Sequence, residues 1–124
     1  LSADLTDELM LLLGDDGFFT LTEAYGGTRL YVPGDIGRSG LPETIGAENA
    51  ARLSNSFPGG YIRIPLARWF RAGRYRQSGM SNRDIARKLG LTESSIDDMF
   101  RKLKRLEPGR HLPQKDPRQI DLFD

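Results

Sequence analysis

Leu5, Leu9, Leu12 and Leu13 recur at i, i+4, i+7 and i+8, a spacing that predicts an amphipathic helix near the start of the chain. Gly14-Asp15-Asp16-Gly17 ends it. Asp15 and Asp16 suit the first turn of a second short helix, where a carboxylate meets the positive end of the peptide dipoles. Phe18, Leu21 and Tyr25 fall on one face of that helix, and Gly26-Gly27 breaks it. Thr28-Arg29-Leu30-Tyr31-Val32 then reads as a strand, rich in β-formers and closed by Pro33. Residues 34–40 read as a loop.

The pattern then recurs. Gly46 matches Gly14, Leu53 matches Leu21 and Phe57 matches Tyr25 at one offset. With Pro58 taken as an insertion, Gly59-Gly60 matches Gly26-Gly27, and Tyr61-Ile62-Arg63-Ile64-Pro65 is a second strand ending in proline. A lone strand leaves its backbone groups unpaired, so the two are expected to pair as a small antiparallel ribbon with the helices covering one face.

Residues 66–78 predict a helix with Leu66, Trp69 and Phe70 as its buried stripe and Trp69 as a core anchor, while Arg68, Arg71, Arg74 and Arg76 project elsewhere. Residues 81–104 read as a helix-turn-helix. Ser81 and Asp84 resemble a capping box, and Thr92 is a natural cap for the second helix. Ala86 is small where the second helix must approach, and Gly90 tolerates the left-handed backbone of the turn. Ile85, Leu89, Ile96, Met99, Phe100 and Leu103 form the inner side. The expected fold is mainly α with a small two-stranded antiparallel β ribbon (α+β) and a C-terminal helix-turn-helix. Its segments are residues 1–65, 66–106 and 107–124, the last an extended, proline-punctuated linker with a short motif.

Charge sharpens this division. The 124 residues carry a net charge of +1, but residues 1–60 hold three basic and nine acidic side chains, and residues 61–124 hold fifteen and eight. The second half is therefore suited to a polyanion and the first is not. The chain has no cysteine and one histidine, His111, which excludes disulfides, a thiol nucleophile and a multi-histidine metal site within one chain; no metal or cofactor is expected. No Gly-x-x-x-x-Gly-Lys or Gly-x-Gly-x-x-Gly phosphate loop is present. Asp15 with Asp16 and Asp97 with Asp98 are adjacent carboxylates, but neighbours on a helix diverge by about 100° and do not converge on a metal, so an enzyme is not expected. No signal peptide or apolar run of transmembrane length is visible, and a soluble cytoplasmic protein is the expectation.

The order Gly26-Gly27 through Tyr31-Val32-Pro33, Gly59-Gly60 through Ile64-Pro65, and the helix-turn-helix of residues 81–104 is similar to the Mor transcription activators of Mu-like bacteriophages. This chain carries the strand unit twice. The resemblance implies a phage or prophage transcription regulator whose Gly-Gly strand region dimerises, giving a homodimer. It implies also that the helix-turn-helix binds promoter DNA and helps recruit RNA polymerase.

With Ile96 inward, the outward face of the second helix holds Ser94, Asp98, Arg101 and Arg105, flanked by Asp97 and Lys102. Arg101 is the expected base reader, since arginine pairs bidentately with guanine, and Ser94 can bond several base edges. Thr92, Arg83, Arg87 and Lys88 are placed for phosphates, and Arg71, Arg74 and Arg76 more loosely so. Asp97 and Asp98 oppose a polyanion; Asp97–Arg101 and Asp98–Lys102 are expected to pair and offset them, or Asp98 accepts from a cytosine amine. In the tail, Gln119-Ile120-Asp121-Leu122-Phe123 resembles the pentapeptide by which many bacterial replication and repair proteins bind the DNA sliding clamp, with Gln119 as the hydrogen-bonding anchor and Leu122 and Phe123 filling an apolar pocket. The alternative to a DNA-binding regulator is accordingly a protein-interaction adaptor docking through that tail.

Overall fold

A computed structural model describes residues 5–106. The chain forms two compact units divided between Ala67 and Arg68. It is mainly helical with one two-stranded antiparallel sheet, as the periodicities predict.

In the first unit, α1 (Thr6–Tyr25) is broken at Gly14, whose φ of 76° and ψ of 174° interrupt it between two helical stretches. Leu9, Leu13, Phe18 and Leu21 are buried along it. Gly26 ends the helix, and β1 (Arg29–Val32) comes next. The expected loop contains a short 3-10 turn, Ile36–Arg38, capped by the Asp35 carboxylate, which accepts from the Gly37 N–H at 3.1 Å. It leads into a short helix that the hydrophobic pattern did not signal, α2 (Leu41–Ile45), with a proline in its first turn where no N–H is needed. Then come α3 (Ala47–Ser56) and β2 (Gly60–Arg63). The strands pair antiparallel with Arg29 opposite Arg63, Leu30 opposite Ile62 and Tyr31 opposite Tyr61.

The two halves of the first unit correspond at a spacing other than the one the Gly-Gly pairs suggest. Gly27 (φ 83°) corresponds to Gly59 (φ 72°), as Gly14 (φ 76°) does to Gly46 (φ 95°), so one spacing of 32 positions holds throughout. Pro58 is not an insertion; it stands where the first copy has Gly26, whose φ of −52° is one a proline can adopt. The correspondence also extends further toward the N-terminus than the glycines indicate. Leu9 and Leu41, Leu13 and Ile45, Leu21 and Leu53, and Val32 and Ile64 are buried in pairs at that spacing, and so are the hydroxyl-bearing Thr22 and Ser54.

The second unit holds α4 (Arg68–Gln77), α5 (Asn82–Leu89) and α6 (Glu93–Leu106). The expected stripe on α4 is corrected. Leu66 precedes the helix, and Trp69 is exposed at 44% rather than a core anchor. The buried face of α4 is Arg71, Ala72, Tyr75 and Arg76, because the helix packs on α5 and lays its second half toward Phe100 of α6. No helix among the described residues is long and apolar enough to cross a membrane.

Candidate nucleic-acid interface

Helices α5 and α6 are joined by residues 90–92. Ser81 caps α5, its hydroxyl accepting from the Asp84 N–H at 3.1 Å. At the other end Gly90 takes the left-handed conformation (φ 70°, ψ 33°), and the N–H groups of Gly90 and Leu91 both close on the Ala86 carbonyl. A side chain other than glycine would be strained there. Thr92 caps α6, its Oγ1 accepting from the Ser95 N–H at 3.1 Å. Ile85, Ala86, Ile96, Met99 and Phe100 are buried; Leu89 and Leu103 are half-buried. The inner face is therefore where the spacing placed it.

The outer face carries the candidate chemistry. Thr92, Ser94, Asp98, Arg101 and Arg105 on or before α6, and Arg83, Arg87 and Lys88 on α5, are all exposed. At the N-terminal tip of α6 the Thr92 hydroxyl lies 2.8 Å from that of Ser95 and 3.2 Å from that of Ser94. Ser95, absent from the sequence-based set, thus belongs to the same cluster of hydrogen-bonding groups. Its position one residue from Ser94 on a helix hid it, because the projected face was drawn one residue too narrow. Lys88 Nζ lies 5.8 Å from the centre of the Tyr75 ring, close enough for a cation–π attraction that holds it near α4.

The expected i,i+4 ion pairs are replaced by another arrangement. Arg101 Nη1 donates to Asp98 Oδ1 at 2.7 Å, an i,i+3 pair with both side chains exposed. Asp97 turns inward and accepts from Asn82 Nδ2 at 2.6 Å. The repulsion that two carboxylates would present to a polyanion is thus reduced to one carboxylate, already paired.

Two of the looser phosphate candidates are corrected. Arg76 is 1% exposed. Its Nη2 donates to Asn82 Oδ1, and its guanidinium stacks 4.8 Å from the centre of the Phe100 ring. Arg71 is buried too, donating to the Tyr75 hydroxyl at 3.2 Å. Neither is available to a duplex, whereas Arg74 is half-exposed. The chain of contacts Arg76–Asn82–Asp97 links α4, the start of α5 and the middle of α6, and so fixes how the outer face of α6 is presented.

A second surface in the first unit was missed. One face of the ribbon is buried through Val32, Ile62 and Ile64; the other exposes Arg29, Tyr31, Tyr61 and Arg63. The Tyr31 and Tyr61 rings meet edge to face at 5.1 Å, and the Arg29 guanidinium lies 4.7 Å from the centre of the Tyr61 ring. The alternation in Arg29-Leu30-Tyr31-Val32 carried the signal, but only pairing with β2 assembles four such side chains on one face.

Gln119, Leu122 and Phe123, proposed as a clamp-docking motif, lie outside the described residues, as does His111. No group of His, Cys, Asp or Glu side chains suited to a metal occurs among the described residues. Compared with protein-family models, curated proteins and solved structures, the chain gives no significant match.

Proposed function

We propose that α5 and α6 form a helix-turn-helix and that this chain is a sequence-specific DNA-binding regulator of the kind its resemblance to the Mor activators implies. The observation that carries the reading is the two-sided character of α6. Ile96, Met99 and Phe100 are buried, while hydroxyls at its N-terminal tip and Arg101 and Arg105 further along face solvent. An α-helix fits the major groove, and groups near its N-terminus reach base edges there. In this arrangement Thr92, Ser94 and Ser95 meet the duplex first. Arg101 exchanges Asp98 for guanine, and Arg83, Arg87 and Lys88 meet phosphates. Residues 68–106 hold eleven basic and four acidic side chains, a surplus that remains favourable after Arg71 and Arg76 are discounted as buried. On the ribbon, Arg29 and Arg63 are exposed guanidinium groups of the kind that meet phosphates, in a unit whose acidic side chains outnumber its basic ones.

The test is duplex binding on a site enriched from random DNA. Affinity is expected to fall with salt at a log–log slope of roughly −0.9 per phosphate contact. Arg101→Ala is expected to lose about 1–3 kcal/mol of discrimination against the wrong base. An Arg101→Ala protein that selects the same sequence with the same preference shows that α6 is not the reading helix.

The adaptor reading rests on the tail motif. Pull-down with purified sliding clamp, with no loss on Leu122→Ala plus Phe123→Ala, disposes of it.

A further inference from the structure

We infer that the first unit is a two-fold pair fused into one chain, and that the protein reads, as a monomer, a DNA site lacking two-fold symmetry; the second half of this inference rests on the DNA-binding reading above. The geometry of the repeat is that of a dimer. In the ribbon Leu30 faces Ile62, which is its own counterpart 32 positions on, so the approximate two-fold axis passes between them. The flanking hydrogen bonds exchange under the same operation: the Gly27 N–H donates to the Ile64 carbonyl and the Gly59 N–H to the Val32 carbonyl, both at 2.8 Å. The helices obey it as well. Gly17 and Asn49 are counterparts, and they meet, for a Cβ placed on Gly17 would lie 2.6 Å from Asn49 Oδ1.

That last contact shows why the pair is closed within the chain. At a two-fold axis between identical subunits, a residue meets itself and must be self-complementary. Here glycine meets asparagine, and the room for the amide exists only because its counterpart has no side chain. Two second copies from separate chains would set Asn49 against Asn49. The pairing surface of β2 and α3 is thus fitted to the first copy and occupied by it.

The two copies differ in the segment that continues from each. After Pro65 the chain runs on to α4, α5 and α6; after Pro33 it runs through the 3-10 turn to α2. A two-fold regulator carries one recognition helix per half and reads two half-sites about one helical turn apart, about 10–10.5 base pairs. Among its described residues this chain offers one such helix for a complete two-fold core.

Sedimentation of the full chain at micromolar concentrations, alone and on duplexes enriched from a random pool, tests this. A free species of 13.9 kDa is expected, with one chain per bound duplex. The enriched motif should lack an inverted repeat, and protection should cover about one helical turn, about 10 base pairs. An enriched inverted repeat occupied by two chains, or a stable dimer of the free protein, overturns the fused-pair inference while leaving a DNA-binding regulator. Failure to enrich any sequence overturns the regulator reading, and the site-symmetry inference with it.

Discussion

The two units hold their shapes by different means. In residues 5–67 the buried apolar side chains, Ile62 apart, come in matched pairs, and the buried polar ones are two hydroxyls at equivalent places, Thr22 and Ser54. Thr22 bonds within its own helix, to the Phe18 carbonyl at 2.9 Å; Ser54 reaches across to the Pro33 carbonyl at 2.9 Å. In residues 68–106 the buried set includes Arg71, Arg76 and Asn82. The second unit buries Ile85, Ile96, Met99 and Phe100 and, beside them, the aliphatic stem of an arginine, whose head turns onto an aromatic ring and an amide. Charge counted along a sequence is therefore not the same as charge offered to a ligand. The same surplus of arginines that points to nucleic acid also supplies part of the packing.

The sharpest way to break this comparison is at Arg76. Truncation removes one member of the Arg76–Asn82–Asp97 chain and leaves buried polar partners without it. Arg76→Ala is expected to destabilise the protein by about 3–5 kcal/mol, whereas Arg76→Met, which refills the space but equally leaves Asn82 Oδ1 without its donor, should lose less by the share due to the cavity. Denaturant unfolding measures both. If Arg76→Ala instead leaves stability intact and lowers duplex affinity with a shallower salt slope, Arg76 is a phosphate contact and its burial is misread.

In the first unit the corresponding test is symmetry. Leu21 and Leu53 are counterparts and both fully buried. Leu21→Ala and Leu53→Ala are each expected to lose about 2–5 kcal/mol. Equivalent surroundings predict losses that differ by no more than about 1 kcal/mol, a narrower spread than unrelated core leucines show. A markedly unequal pair would mean that the two copies share a backbone but not a packing environment.

Gly17 and Asn49 probe where that equivalence ends. Gly17→Ala drives a methyl group into the Asn49 amide and is expected to destabilise by about 1–3 kcal/mol. The same methyl would also lie 2.8 Å from Leu13 Cβ, so Asn49→Ala in the same chain should return only the part of the loss that the amide causes, and a double-mutant cycle reads that Gly17–Asn49 coupling directly. Additive single effects would show that the clash is relieved elsewhere and that the two counterparts do not constrain each other.

Much of this fold was legible in the spacing of apolar residues and the placement of glycines. The break at Gly14, the two strands, their antiparallel pairing and the caps at Ser81, Gly90 and Thr92 all arise from local chemistry. What local pattern could not supply was the face a helix presents when its apolar residues are ambiguous. On α4, Trp69 and Phe70 compete with Ala72 and Tyr75, and tertiary packing favours the second set, so two arginines go inside and the tryptophan stays out. The repeat was visible but misaligned, because pairing Gly-Gly with Gly-Gly is the closer match in residue type, whereas the true register sets Gly27 against Gly59 and puts a proline in place of a glycine. Backbone conformation decides it, since the positive φ belongs to the second glycine of one pair and the first of the other. The same limit applies to the ion pairs on α6: i,i+4 and i,i+3 partners are equally near on a helix, and Asp97 had a better partner in Asn82, fifteen positions away.

The smallest effect separates folding from recognition at one atom. The Thr92 hydroxyl both caps α6 and stands on the exposed face proposed to meet DNA. Thr92→Ala removes both roles and should lose about 0.5–2 kcal/mol of stability. Thr92→Asp keeps an oxygen able to accept from the Ser95 N–H, and a carboxylate at a helix N-terminus is favourable to the helix. Stability is therefore expected to stay within about 0.5 kcal/mol of the parent, the usual range for a surface change that spares such features. The same carboxylate would meet the duplex backbone as a like charge, so binding should weaken several-fold and the deficit should shrink as salt screens it. An aspartate variant that folds as well as the parent and binds duplex DNA equally well at low salt would place the tip of α6 away from the phosphates. The reading of its outer face would then fail, although every structural contact in the second unit survived.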